Sequence, residues 1–248
     1  MTAELRVFAL EGIPEVEEGD DLAGLLADAA GRAGGLADGD VVVVAQKVVS
    51  KAEGRIVRLD DVEASTRAHE LAGGERDPRH LQVILDESVR VVRSRPPLVI
   101  AETRHGFVCA SAGVDESNAK GAHTLVLLPL DPDASAARLR SGLRERTGRD
   151  VGVVVSDSFG RAWRQGTADV ALGVAGIVAL RDLRGTRDAS GYELHATQIA
   201  VADELASAAE LVLGKTAGTP AAVVRGVDVR GEGRGSDLVM PPERDLFR

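Results

Sequence analysis

Apolar residues along this chain fall into short β-branched runs separated by stretches of helical spacing. Residues 5–10 and 41–44 read as strands, the second a run of four valines led by Asp40. A run this apolar and this short suits a strand buried on both faces. Residues 55–59, 124–130, 151–155 and 220–224 read the same way, and residues 98–100 and 107–110 read as a hairpin around Arg104-His105-Gly106. Helices are predicted where apolar residues recur every three or four positions. One starts after Asp20 and Asp21 and ends at Gly34-Gly35, one starts at Pro132 and Asp133, and one covers residues 197–213. Residues 61–93 also read as helical, broken at Gly73-Gly74 and Asp77-Pro78, with Leu81, Ile84, Leu85, Val89 and Val92 on one face. Residues 170–180 are apolar but interrupted by glycine and carry no clear period. Helices and strands alternate irregularly, which predicts a mixed α/β (α+β) fold and not a regular Rossmann or P-loop one.

At 248 residues the chain is expected to form a single domain over residues 1–248, with room for two subdomains. Hydrophobic residues make up 44% and aromatics only 2%, so the core must be built from Val, Leu, Ala and Ile. A net charge of −9 lacks the basic face that nucleic-acid binding requires. Cys109 is the single cysteine, so neither a disulfide framework nor a thiolate cluster is available. No apolar run approaches membrane-spanning length and the N-terminus has no signal-peptide core, so a cytoplasmic protein is expected.

Candidate chemistry concentrates at strand ends. After the 151–155 run come Ser156, Asp157, Ser158, Gly160, Arg161, Trp163, Arg164 and Gly166. Asp157 and Ser158 are hard oxygen donors suited to Mg²⁺ or Mn²⁺. Arg161 and Arg164 suit phosphate or carboxylate. A second acid-plus-amide stretch, Asp115 to Asn118, also follows a strand. Two such aspartates can share a cation, although turn and cap chemistry explains the same residue types. Gln46, Lys47, Ser50 and Lys51 lie just past the valine strand, with both lysines on one face if helical. Residues 209–216 approach a P-loop, but the glycine of Gly214-Lys215 closes a helix where a P-loop glycine must open one. That turn still offers backbone nitrogens to a nucleotide. The five histidines have no zinc spacing. Cys109 reads as a buried small hydrophobe, and Trp163 as core in preference to a stacking surface.

Seven blocks in order resemble a known family: GIPE from Gly12, KVVSKAEGR from Lys47, AGVDESN from Ala112, DPDASA from Asp131, SDSFGRAWRQG from Ser156, DELA from Asp203 and VRG from Val224. The chain resembles the F420-0:gamma-glutamyl ligases, including the ligase half of the actinobacterial two-domain enzyme. The resemblance implies an unusual two-lobed mixed α/β fold and GTP-dependent addition of L-glutamate to coenzyme F420-0, or its dehydro form, through an acyl phosphate. It also implies Mn²⁺ or Mg²⁺, help from K⁺, γ-linked lengthening of a glutamate tail, and a homodimer. By the same resemblance Asp115, Asp157 and Ser158 are metal ligands, and Ile13, Pro14, Glu15, Val16, Gln46, Lys51 and Asn118 contact GTP. Gln46 stands where relatives often carry Ser, and Ser158 where they often carry Thr. Arg161 and Arg164 are assigned to substrate or γ-phosphate from charge and position, and Gly214 to the nucleotide from its turn. The nitroreductase-like FMN domain of some actinobacterial relatives is expected to be absent, which leaves a stand-alone ligase or a piece of a longer protein. Two other readings compete: a non-catalytic GTP-binding regulatory protein on the same scaffold, and a metal-dependent phosphohydrolase.

Overall fold

A computed structural model describes residues 4–116, 123–215 and 217–246. The strands are β1 (Arg6–Ala9), β2 (Val41–Ala45), β3 (Ile56–Arg58), β4 (Ser88–Arg95), β5 (Leu98–Thr103), β6 (Val108–Ala110), β7 (Thr124–Val126), β8 (Gly152–Gly160), β9 (Thr167–Ala175), β10 (Arg181–Asp182), β11 (Gln198–Ile199) and β12 (Ala221–Arg225). The α-helices are α1 (Leu22–Arg32), α2 (Gln46–Ala52), α3 (Thr66–Ala72), α4 (Pro78–Asp86), α5 (Pro132–Thr147) and α6 (Val201–Leu213). The fold is mixed α/β, as the irregular alternation predicts.

The main sheet runs β1-β12-β2-β8-β9, and within it only β2 and β8 pair in parallel. The valine runs are apolar throughout because both faces of this sheet are covered. Val42, Val44, Val153, Val155 and Val223 enter a core with α1 and α5, while Val41, Val43, Val154 and Val224 enter a second core with α6. A third apolar cluster joins α3, α4, the β4-β5-β6 sheet and the β3-β7 pair, the second lobe. Glu87 ties that lobe together, accepting from Arg55 at 2.8 Å and from Arg104 at 3.1 Å.

Three expectations are corrected, and one unassigned stretch is resolved. Residues 88–95 form a strand, not the end of a helix. Glu87 caps α4, and the β-branched residues that follow pair with β5 instead. Val89 and Val92 happen to continue the helical spacing of Leu81 and Ile84, and only the pairing partner separates the two readings. The strand predicted over 151–155 continues to Gly160, because the stretch read as a loop pairs antiparallel with β9. That same pairing places residues 170–175 of the unassigned stretch in β9, where Leu172 bulges out of register. Finally, α6 begins at Val201, after the short strand β11.

The outer edge of β9 would leave N–H groups unpaired. Side-chain carboxylates take them up. Asp169 N donates to Glu210, Ala171 N to Asp203 at 2.8 Å and Val174 N to Asp133 at 2.8 Å. The bulge explains the change of parity between residues 171 and 174. Gly173 is required beside it, since a Cβ there would sit 2.0 Å from the Pro132 carbonyl oxygen.

Candidate active site

A cleft of about 430 Å³ opens where the parallel strands β2 and β8 end. Carboxyl ends of parallel strands are where open sheets bind ligands, because the chain departs there into loops and helix starts. One wall is the turn carrying Ile13, Pro14, Glu15 and Val16. The floor is the β2–α2 junction with Gln46, Lys47 and Lys51. The opposite wall combines Asp157 and Ser158 of β8, Asp169 of β9, Glu210 of α6 and the turn at Gly214-Lys215.

Pleating sends neighbouring residues of β8 to opposite faces. Ser156 and Ser158 face Asp169, donating to its two carboxylate oxygens at 3.1 and 2.5 Å. Lys215 donates to Ser158 Oγ and lies 4.0 Å from Glu210. Asp157 faces the other way, toward Lys47, Asp115 and Cys109. Lys47 forms an ion pair with Asp115 at 2.7 Å. Burial pushes the Asp157 carboxyl up to about 7, helped by the negative charges of Asp115 and Asp169 and opposed by a backbone hydrogen bond at Ser158 and by Lys47. Burial likewise pushes the Cys109 thiol up to about 12, so it is an inert buried residue, as its position in a strand predicts.

The lysines hold their places through α2. Lys51 Nζ, almost wholly buried, donates to Glu15 Oε1 at 2.5 Å and so fastens the Ile13–Val16 turn across the cleft. Gln46 is fully buried; its Oε1 accepts from Ser50 Oγ at 2.8 Å, and its Nε2 has no hydrogen-bond partner among the described residues. An orphaned buried amide in a cleft wall matches a ligand acceptor that would complete it.

Ile13, Pro14, Glu15, Val16, Gln46, Lys51, Asp157, Ser158 and Gly214 therefore come together in one cleft, and Asp115 joins through Lys47. Asn118 lies outside the described residues. Arg161 and Arg164 do not line the cleft. They sit exposed in the β8–β9 turn, where Arg161 Nη2 donates to the Gln165 carbonyl at 2.9 Å. Trp163 is not in the core; it is 81% exposed in that same turn. Asp169 and Glu210 escaped the sequence reading, and Lys215 entered it only as part of the turn at Gly214. Asp169 fell just before the unassigned 170–180 stretch, Glu210 on a helix face, and Lys215 in a motif rejected as a P-loop.

Asp115, Asp157, Ser158 and Asp169 offer oxygen donors, the chemistry of Mg²⁺ or Mn²⁺. Among the described residues no three His, Cys, Asp or Glu side chains converge closely enough to hold a metal ion by themselves. A bound polyphosphate would supply the remaining oxygens, as is usual for magnesium sites. The raised Asp157 carboxyl marks a place where added positive charge is favourable.

Fold and cleft together define a mixed α/β protein with a charged, ligand-sized site that carries both lysines and carboxylates. The profile of the F420-0:Gamma-glutamyl ligase family matches residues 12–226, and the chain belongs to that family. It is 46% identical over 254 residues to the coenzyme F420:L-glutamate ligase of Methanopyrus kandleri, covering 98% of this chain and 99% of that one. The coenzyme F420:L-glutamate ligase of Methanothermobacter thermautotrophicus is 43% identical over 250 residues, with 98% and 99% covered. That of Haloarcula marismortui is 46% identical over 252 residues, with 98% and 96% covered. No helix among the described residues is long and apolar enough to cross a membrane.

Proposed function

We propose that this chain is a GTP-dependent ligase that joins L-glutamate to coenzyme F420-0 and then adds further γ-linked glutamates. The observation that carries this reading is the convergence of the 13–16 turn, Gln46, Lys51, Asp157, Ser158 and Gly214 on one cleft in a member of this family. In the proposed reaction a carboxylate oxygen of the acceptor attacks the γ-phosphorus of GTP, and the bond to the β-phosphate oxygen breaks to release GDP. The amine of glutamate then attacks the acyl phosphate, loses a proton, and phosphate departs. Such transfers rest on positioning and charge neutralisation. Lys51 and Lys215 are the cations for the phosphate chain, held by Glu15 on one wall and by Ser158 on the other. Lys47 sits beside Asp157 and Asp115, where it offsets their charge and can receive the acceptor carboxylate. Asp115, Asp157 and Ser158 would hold a divalent cation together with phosphate oxygens, and that ion would screen the charge of the transferred group. K⁺ and a homodimer belong to the same proposal, as does assignment of Arg161 and Arg164 to an anionic substrate.

The test is GDP release with F420-0, glutamate, GTP and Mn²⁺, with mass spectrometry of the product. Glutamate-dependent GDP release and a product heavier by glutamate residues are expected. GTP binding without any phosphate release would favour a regulatory protein, and release without glutamate a phosphohydrolase; either result sinks the ligase.

A further inference from the structure

Asp169 lines the cleft as a buried carboxylate, 6% exposed, directly opposite Ser158 across the antiparallel β8–β9 pair. Its backbone is pinned to α6 on both sides. The N–H donates to Glu210 at 3.2 Å, and the carbonyl accepts from Ser207 Oγ at 2.8 Å. Its two carboxylate oxygens accept from the hydroxyls of Ser156 and Ser158, and among the described residues no lysine or arginine forms an ion pair with it. Burying a charge on hydroxyls alone is costly. The neighbouring positions of the two strands are Val154, Val155, Val170 and Ala171, so packing by itself is met by apolar side chains. The carboxylate is kept for something other than packing.

Its effect on Ser158 supplies the reason. An ionised carboxylate only accepts, so the single hydrogen of the Ser158 hydroxyl points at Asp169, at 2.5 Å. Both lone pairs of Ser158 Oγ are thereby turned away from Asp169. One accepts from Lys215, and the other is left for the cleft that Ser158 lines. A free serine hydroxyl rotates, and it offers a site its hydrogen as readily as its oxygen. Here the rotation is stopped, and the charge on Asp169 strengthens the oxygen as an electron-pair donor. Ser156 donates to the second carboxylate oxygen at 3.1 Å and keeps Asp169 from turning.

We infer that Asp169 is a positioning residue for the cation site: it holds the Ser158 hydroxyl as an oxygen ligand, with the hydrogen directed away from the ion. Asp169 acts from outside the ligand set, because both of its oxygens are engaged by the serines. This inference rests on the ligase reading for the ion and the nucleotide, but not on turnover.

The test reads metal binding without turnover. The intact protein is held with saturating GTP, without F420-0 or glutamate, and Mn²⁺ is titrated in. Binding is followed as loss of the paramagnetic resonance signal of free Mn²⁺ beyond that of a protein-free GTP blank. Asp169→Asn keeps the shape and removes a buried charge, so it keeps the fold, checked by melting temperature. Its amide can donate to Ser158 and turn the hydroxyl hydrogen toward the cleft. Mn²⁺ affinity should fall about tenfold or more, the loss typical of a removed outer partner of a metal ligand. Asp169→Ser, smaller and also uncharged, is the second variant and should show the same loss. Ser158→Ala should lose a similar amount, and the double variant with Asp169→Asn no more than that, because Asp169 acts through Ser158. Ser156→Ala should lower the melting temperature and leave Mn²⁺ affinity unchanged. Unchanged Mn²⁺ affinity in both Asp169 variants would overturn the inference, and so would losses that multiply in the double variant. Glutamate ligation by the wild type alongside either result leaves the ligase reading intact. Mn²⁺ binding weakened by Asp169→Asn in a protein that never ligates would support the positioning role while the ligase reading fails.

Discussion

Replacing Asp157 by Asn isolates the electrostatic state of the cleft. In the folded protein the carboxyl titrates near 7, against an ordinary 3.8. Between these values the folded chain keeps a proton that the unfolded chain has released. Stability therefore falls as pH rises from about 4 to about 7, and the full cost is present above that. Three pH units correspond to about 4 kcal/mol as an upper bound. Water still reaches the half-buried carboxyl, which reduces the cost to roughly 2–3 kcal/mol. Asparagine keeps the shape and loses the charge. In metal-free buffer with chelator, Asp157→Asn should match wild type near pH 4 and exceed it at pH 8. The gain should be roughly 5–10 °C in melting temperature for a chain of this size. Added Mn²⁺ should raise the melting temperature of wild type at pH 8 but not that of the mutant, and ligase turnover in the mutant should fall by about a hundredfold or more. Parallel melting profiles of the two proteins from pH 4 to pH 8 would refute the reasoning, because they would mean that Asp157 carries no buried charge.

Further outcomes follow from the same geometry. Lys51→Ala removes a buried cation and frees the 13–16 turn, so GTP affinity should drop about tenfold or more, read by calorimetry. Asp169→Ala strips the partners from Ser156 and Ser158 at once; a loss of about 2–3 kcal/mol in urea unfolding is expected, with turnover falling as Lys215 loses its anchored hydroxyl. Gly173→Ala drives a Cβ against the Pro132 carbonyl and should leave little soluble folded protein, whereas Gly31→Ala, which meets nothing, should fold normally.

The sequence by itself determined the strands and helices whose two-sided or one-sided burial is written in local pattern. The valine runs of β2, β8 and β12, the capped starts of α1 and α5, and the glycine that closes α6 are of this kind. It also pointed to Gln46, Lys47, Lys51, Asp157 and Ser158, polar residues directly after buried strands that the structure brings to one cleft, whereas the 13–16 turn was indicated only by the family resemblance. Tertiary structure decided the rest. Ser156 to Gly160 became strand because β9 lies beside it, and residues 88–95 did so because β5 does. Neither partner is visible from a window of local residues. Asp169 and Glu210 entered the cleft from segments that carry no local sign of chemistry, since a carboxylate on an edge strand or a helix face reads as solvated until its neighbours are known. Trp163 reversed its expected role for the same reason. Hydrophobicity predicts burial on average, but only the hairpin that carries this residue determines whether it lies in the core or at the surface.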